Sequence, residues 1–406
     1  MDTQLSSLLR DEPAAQEARD LLSRCVHCGF CTATCPTYQI LGDELDGPRG
    51  RLYLIHQLLE TGKTSKGTWQ HLDRCLLCRS CETTCPSGVN YHRLLHIGRR
   101  LSGALQAPPL SQRLRNALLR SMLPYPKRMT AALGAARLVR PLLPGGIRGK
   151  IPARRPDARK KSFSSHPRKV LLFQGCIQSA VARDINDATR QVLDRLEIEC
   201  LAVPRERCCG AVHHHLDAES QARKFARHNI DLWLPLLREG AEALLVTATA
   251  CALEIQEYPQ LFNDDPAYQQ KATELLQHCQ EIGSFLARQD TGKLKLAVPR
   301  AMALHLPCTQ QHGLRSGDKV IELLSRLGFD VRLPTDNHLC CGSAGTYSLR
   351  QPRLAGQLQQ HKLRALEQTG AEIIASANIG CLLHLGEKSR LPVKHWIQWL
   401  DEFSQD

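Results

Sequence analysis

At 406 residues and 42% hydrophobic content, the chain is long enough for two or three domains, and its 18 cysteines are far more than an ordinary reduced protein carries. No run approaches the roughly 18 consecutive apolar residues of a bilayer span, and Asp2, Asp11, Glu12, Glu17 and Asp20 crowd a start that a signal peptide would make basic and then apolar. The expectation is a cytoplasmic protein, soluble or peripheral, whose clustered cysteines bind metal instead of forming disulfides.

Residues 1–98 hold eight cysteines in two runs. The first is Cys25-Val-His-Cys28-Gly-Phe-Cys31-Thr-Ala-Thr-Cys35-Pro36, and the second is Cys75-Leu-Leu-Cys78-Arg-Ser-Cys81-Glu-Thr-Thr-Cys85-Pro86. Both follow the C-x₂-C-x₂-C-x₃-C-P pattern of two-cluster bacterial ferredoxins. Three closely spaced thiolates wrap one cubane, and the fourth, turned away by its proline, reaches the other. By that rule Cys25, Cys28, Cys31 and Cys85 hold one [4Fe-4S] cluster, and Cys35, Cys75, Cys78 and Cys81 hold the second. Zinc also takes four thiolates, but a zinc site has no use for the extra C-x₃-C-P. The intervening Gly42–Arg51 loop either packs over a cluster, with Arg49 and Arg51 offsetting its negative charge, or is a solvated connection; Leu52–Leu59 then has a helical pattern.

Residues 99–167 contain no cysteine. Between Arg99 and Lys169 there are 18 Lys and Arg against one acid, Asp157, so the net charge of +13 resides in this segment. From Pro108 to Arg168, short amphipathic stretches alternate with prolines, and Leu114, Leu118, Leu119 and Leu123 form an apolar stripe beside Arg113, Arg115 and Arg120. Three readings stay open: a membrane-surface element that brings the clusters near quinone on the inner face of the cytoplasmic membrane, a docking surface for acidic partner subunits, and a solvated linker. No nucleic-acid partner is expected, because aromatics are only 5% of residues and none interleaves with the basic positions.

Residues 168–290 and 299–400 repeat one another. Cys176 precedes Cys208-Cys209-Gly210 by 32 positions, as Cys308 precedes Cys340-Cys341-Gly342; Cys251 and Cys381 then follow at similar distances. Such matched spacing marks a duplicated unit. In the first half Val170–Phe173, Cys200–Val203 and Leu244–Val246 read as strands. Between them lie a helix with Ile185, Ala188, Val192 and Leu196 on one face and another over Ala222–Leu237. The second half repeats this order with strands at Met302–Leu306, Val331–Leu333 and Ile373-Ile374, and helices over Val320–Leu327 and Leu354–Leu366. Alternating strands and helices favour parallel sheets, whose strand-end loops share an edge. That edge offers Cys176, Cys208, Cys209 and Cys251 in one half and Cys308, Cys340, Cys341 and Cys381 in the other as candidate metal ligands. Cys200 and Cys279 read as ordinary buried thiols, and His213-His214-His215 as a polar turn.

These halves resemble the CCG domains of the heterodisulfide reductase family. In that family the final cysteine begins a C-x-x-C pair and five cysteines hold a noncubane cluster; here the partner positions are Glu254 and His384. A four-thiolate cubane, a cluster with Glu254 or His384 as an extra ligand, and a purely structural site all remain open. The whole arrangement resembles the iron–sulfur subunits of bacterial glycolate oxidase and, less closely, the iron–sulfur subunits of anaerobic glycerol-3-phosphate dehydrogenase. The strings from Cys25 to Tyr38, Gly42 to Arg51 and His338 to Tyr347 favour the former.

The resemblance implies a multidomain α+β and α/β chain: a mostly helical two-cluster ferredoxin-like domain, then two α/β CCG modules with parallel sheets. It implies an electron-transfer subunit of a glycolate-to-glyoxylate complex, passing electrons from a FAD-containing partner subunit to a membrane acceptor such as quinone. The alternatives are the equivalent subunit of a glycerol-3-phosphate or lactate dehydrogenase, or a heterodisulfide-reductase-like catalyst. No G-x-G-x-x-G follows a strand, so FAD is expected on partner subunits only. One-electron clusters cannot accept a hydride, so no residue of this chain is assigned a catalytic role.

Overall fold

The computed structural model describes residues 1–138, 140, 163–294, 296 and 299–404. Positions 141–162 of the basic segment lie outside the described residues. Two compact units emerge, one of Met1–Ala117 with His338–Lys362 and one of Leu118–Asn337 with Leu363–Asp406.

The first unit is helical. Its framework is three helices, Pro13–Ser23, Pro48–Thr61 and Tyr91–Leu105. Pro13 and Pro48 start the first two where a missing N–H costs nothing, and the Asn90 side chain accepts the Arg93 N–H at the start of the third. Ala15, Ala18 and Leu22 meet Ile55, Leu58, Leu59, Leu94 and Leu95 in one core. The cysteine runs are draped on this frame. The segment His338–Lys362 belongs to the second repeat by sequence, yet it packs here. Arg350 forms a buried ion pair with Asp73, whose other oxygen accepts from Gln351 at 3.2 Å.

The second unit contains two four-stranded sheets. The first is built from β1 (Arg168–Leu172), β2 (Ile198–Leu201), β3 (Leu244–Val246) and β4 (Cys279–Glu281) in the order β2-β1-β3-β4. The second, from β5 (Arg300–Leu304), β6 (Phe329–Arg332), β7 (Ile373–Ser376) and β8 (Val393–His395), has the order β6-β5-β7-β8. Every pairing is parallel, with Leu171 opposite Leu201 and Leu244, and Ala303 opposite Arg332 and Ile374. The identical orders are the structural form of the duplicated cysteine spacing. Helices cover both faces of the first sheet, so alternate strand residues enter different cores. Val170 and Leu172 join a core with Met302 and Leu304 of the second sheet and Trp396 of the helix after it, while Leu171 and Phe173 join Phe225, Trp233 and Phe262. The buried His395 ring links the repeats, its Nε2 donating to the Thr247 carbonyl at 3.1 Å.

The expected strands are present with small shifts. β2 starts at Ile198, two residues before the expected Cys200, because Glu197 turns the chain at a φ of 61° directly after the preceding helix. β4 and β8 carry no strand expectation in the sequence, since three residues such as Val-Lys-His are too short and too polar to show a period.

Candidate iron–sulfur sites

Two cavities lie beside the cysteine runs in the first unit. Cys25, Cys28, Cys31, Cys81 and Cys85 line one, and Cys35, Cys75, Cys78 and Cys81 line the other. The fold thus carries Cys85 to the first run's triplet and Cys35 to the second run's. Cys81 and Tyr91 border both cavities.

The backbone bends alike in the two runs. His27 and Leu77 both have a φ of 56°, and the next left-handed position is Gly29 at 82° in one run and Arg79 at 62° in the other. A left-handed arginine costs roughly 1 kcal/mol where glycine costs little, so the bend belongs to the motif and not to its glycine. The bend brings amides to sulfur, and the Leu77 N–H donates to Cys75 Sγ at 3.4 Å. Cys35 then precedes Pro36, the first residue of the helix Pro36–Leu41, which leads the chain away.

The electrostatics suit a multivalent cation bound by thiolates. Burial pushes the Cys31 thiol up to about 11, and the charges of Cys25, Cys28 and Cys85 push the same way. Burial likewise raises Cys81, reinforced by Cys78, Cys75 and Cys35. Thiols this crowded ionise together only when a metal neutralises them. No carboxylate lines either cavity among the described residues. The Tyr91 hydroxyl, at the wall of both, is buried without a hydrogen-bond partner, as a donor awaiting a sulfur acceptor would be.

Of the two readings of the Gly42–Arg51 loop, packing over the cavities is the observed one. Arg49 lines the first cavity and pairs with Glu44 at 2.7 Å. Arg51 lines the second and is almost completely buried. Its partners are Thr37 Oγ1 at 3.1 Å, the His71 carbonyl at 2.8 Å and the Asp46 carboxylate at 3.6 Å. Asp46 is itself buried, with Arg74 at 2.8 Å and His71 at 3.1 Å. Two guanidinium groups against one carboxylate leave net positive charge beside Cys35 and Cys75. Tyr347 is buried close by, and burial raises its pKa, opposed by Arg51 and reinforced by Cys75 and Cys340. Tyr347 thus feels one cysteine of the second cavity and one of the second repeat's pair.

In the first repeat four sulfurs distant in sequence form one cluster. Cys176 Sγ lies 3.1 Å from Cys208 Sγ, and Cys209 is hydrogen-bonded to both Cys208 and Cys251. Cys176 and Cys209 donate to Cys208, which holds its thiol well below the usual range despite burial, while theirs are raised. Each cysteine follows the C-terminal end of a strand: Cys176 after β1, Cys208 and Cys209 after β2, Cys251 after β3. Glu254 is buried, its carboxylate 3.2 Å from His214 Nδ1. Burial works against the His214 cation, but Glu254 outweighs it and the pKa rises to about 9.

The histidine run corrects a sequence expectation. It is the short helix Ala211–His215, not an open polar turn, and His213 is only 3% exposed. A hydrophilic triplet gives no periodicity by which its buried member could be recognised. In the second repeat Cys308 and Cys381 belong to one unit, and Cys340 and Cys341 to the other. The Gly342 N–H donates to Cys340 Sγ at 3.4 Å, and His384 is half-buried on the helix Ile379–Gly386. Cys200 and Cys279 stand apart in β2 and β4, each pushed up to about 12 by burial.

Residues 21–89 match the 4Fe-4S dicluster domain family, and residues 170–256 and 302–386 each match the cysteine-rich CCG domain. The chain is 45% identical over 402 residues to the glycolate oxidase iron-sulfur subunit of Escherichia coli K12, covering 99% of both chains. It belongs to the glycolate oxidase iron–sulfur subunit family. A probable glycolate oxidase iron-sulfur subunit of Bacillus subtilis is 28% identical, with 90% of this chain and 88% of the relative aligned. Lactate utilization protein A of the same organism is 27% identical over 54% of this chain and 90% of its own length. A crystal structure of a hypothetical protein from Helicobacter pylori shares the fold, with a TM-score of 0.60 and 10% identity over 96% of this chain and 73% of that one. As a member of this family the chain is an iron–sulfur protein of electron transfer and the iron–sulfur component of an oxidoreductase. No helix among the described residues is long and apolar enough to cross a membrane.

Proposed function

We propose that the chain carries electrons released when glycolate is oxidised to glyoxylate, taking them from a FAD-containing partner subunit and delivering them to a membrane acceptor such as quinone. The observation that carries this reading is the pair of adjoining cavities, each walled by three cysteines of one run and the last cysteine of the other, with Cys81 bordering both. In this reading Cys25, Cys28, Cys31 and Cys85 hold one [4Fe-4S] cluster, and Cys35, Cys75, Cys78 and Cys81 the other. The clusters supply one-electron storage, so a flavin must divide the hydride equivalent beforehand. The chain's own residues fix distance and charge. Tyr91 fills the wall common to both cavities, Arg49 and Arg51 supply one cation each, and the buried Tyr347 feels the charges of both Cys75 and Cys340. Cys176, Cys208, Cys209 and Cys251 hold a further iron–sulfur group.

The helix Leu110–Met122 provides the proposed membrane contact. Leu110, Leu114 and Leu118 are each more than 60% exposed, and their four-residue spacing forms one apolar stripe in a basic stretch. Such a face suits an anionic bilayer surface. The test is cluster reduction in the purified complex, followed anaerobically by electron paramagnetic resonance (EPR) after addition of glycolate, L-lactate or glycerol 3-phosphate. Rapid reduction by glycolate alone supports the reading. Preference for another donor reassigns the substrate, and disulfide reduction by the isolated chain overturns the subunit role.

A further inference from the structure

The His213 side chain is 97% buried, and neither Nδ1 nor Nε2 has a hydrogen-bond partner among the described residues. A buried imidazole normally satisfies both nitrogens. His395 does so, accepting the Ile397 N–H at Nδ1 and donating Nε2–H to the Thr247 carbonyl. Leaving a buried polar group unsatisfied costs about 1–3 kcal/mol, so an open ring calls for a missing partner.

Gly210, at a φ of 103°, ends the Cys208-Cys209-Gly210 triplet, and the helix Ala211–His215 begins at the next residue. His213 therefore follows the paired cysteines by only four and five positions, and its ring and Cys208 act on each other electrostatically. Phe225 holds the ring edge-on at 4.9 Å and 90°, so its orientation is fixed without any hydrogen bond. Glu254 occupies the position of the fifth cysteine of the reductase family, but its carboxylate lies 3.2 and 3.3 Å from His214 Nδ1 in an ion pair. The carboxylate is already engaged where the imidazole is open.

We propose that His213 is the fifth, non-cysteine ligand of the iron–sulfur group held by Cys176, Cys208, Cys209 and Cys251. The inference rests on the proposal that this repeat binds such a group, and the experiment separates the two. Full-length chain is prepared anaerobically with natural-abundance or ¹⁵N-labelled histidine, and pulsed EPR is recorded together with iron content. Cys208→Ser identifies the iron and the signal that belong to the first repeat. The expected result is a strong nitrogen coupling on that signal, changed by ¹⁵N-histidine and absent in His213→Gln, which retains the ferredoxin-type signals. Iron in the first repeat without this coupling, or with one that persists in His213→Gln, overturns the ligand assignment and leaves the site standing. No iron lost in Cys208→Ser overturns both. The wild-type isotope comparison does not require the variant to fold.

Discussion

Replacing Arg51 tests the electrostatics of the second cavity. Its guanidinium is buried, and successive contacts of 3.2 Å from Cys35 Sγ to Thr37 Oγ1 and 3.1 Å from Thr37 Oγ1 to Arg51 Nη2 hold the charge within about 6 Å of that sulfur. At an effective dielectric of about 20, two unit charges at ~6 Å interact by about 2.8 kcal/mol, equivalent to ~120 mV for a one-electron couple. Removing the cation disfavours the more negative, reduced state, so Arg51→Met lowers the potential of the cluster proposed at Cys35, Cys75, Cys78 and Cys81. The fall reaches ~120 mV if Asp46 stays ionised against Arg74, and about half that if Asp46 takes up a proton. The other cluster, whose cavity Arg51 does not line, moves less. Breaking a buried ion network also destabilises the chain by about 3–5 kcal/mol, so Arg51→Lys serves as the charge-retaining control with a near-wild-type potential. The assay is an EPR-monitored redox titration of the full chain, with the two signals assigned by cysteine variants. An unchanged potential in Arg51→Met, or equal falls in both clusters, refutes the reasoning.

Cys85→Ser is expected to abolish the signal of the cluster held by Cys25, Cys28 and Cys31 and leave the other, although Cys85 belongs to the second run; loss of the second-run signal instead would reverse the crossed assignment. Gly342→Ala should lower the thermal midpoint more than Gly210→Ala. A Cβ at Gly342 meets the Ala355 carbonyl at 2.7 Å, whereas at Gly210 the nearest atom is 3.5 Å away. Left-handed strain alone costs about 1–2 kcal/mol at either, and equal shifts would show that the carbonyl yields. Burial, opposed by the hydrogen bond to Thr247, lowers His395 to about 4 from an ordinary 6.5. The unfolded chain therefore binds the extra proton between these values. His395 contributes about 3 kcal/mol that is fully present above pH ~6.5 and is lost as pH falls towards 4. Urea midpoints over that range should flatten in His395→Gln relative to wild type, and parallel profiles would contradict the assignment.

Features set by covalent spacing were legible in the sequence. The two C-x₂-C-x₂-C-x₃-C-P runs and the 32-residue interval before each Cys-Cys-Gly triplet identify the metal chemistry and the duplication directly. The longer buried strands, such as Val170–Phe173, and the helix around Ile185 and Val192 also show their periods. Features decided by tertiary packing were not legible. Three-residue edge strands carry no pattern, and nothing in His338–Lys362 announces that Arg350 will pair with Asp73. His213 looks like its two neighbours until the helix after Gly210 buries it. The Arg49 and Arg51 loop lies between these cases, because its charge was visible but its burial against the cavities depends on Asp46, Thr37 and His71.

Whether the eight N-terminal cysteines hold two cubanes is decided by iron, zinc and acid-labile sulfide determined on anaerobically prepared full-length chain, with Mössbauer spectra of the same samples. About eight irons and eight sulfides in cubane environments belong to the N-terminal domain, and any first-repeat iron adds to that number. A colourless protein with zinc at these cysteines and no sulfide would show that they carry no electrons.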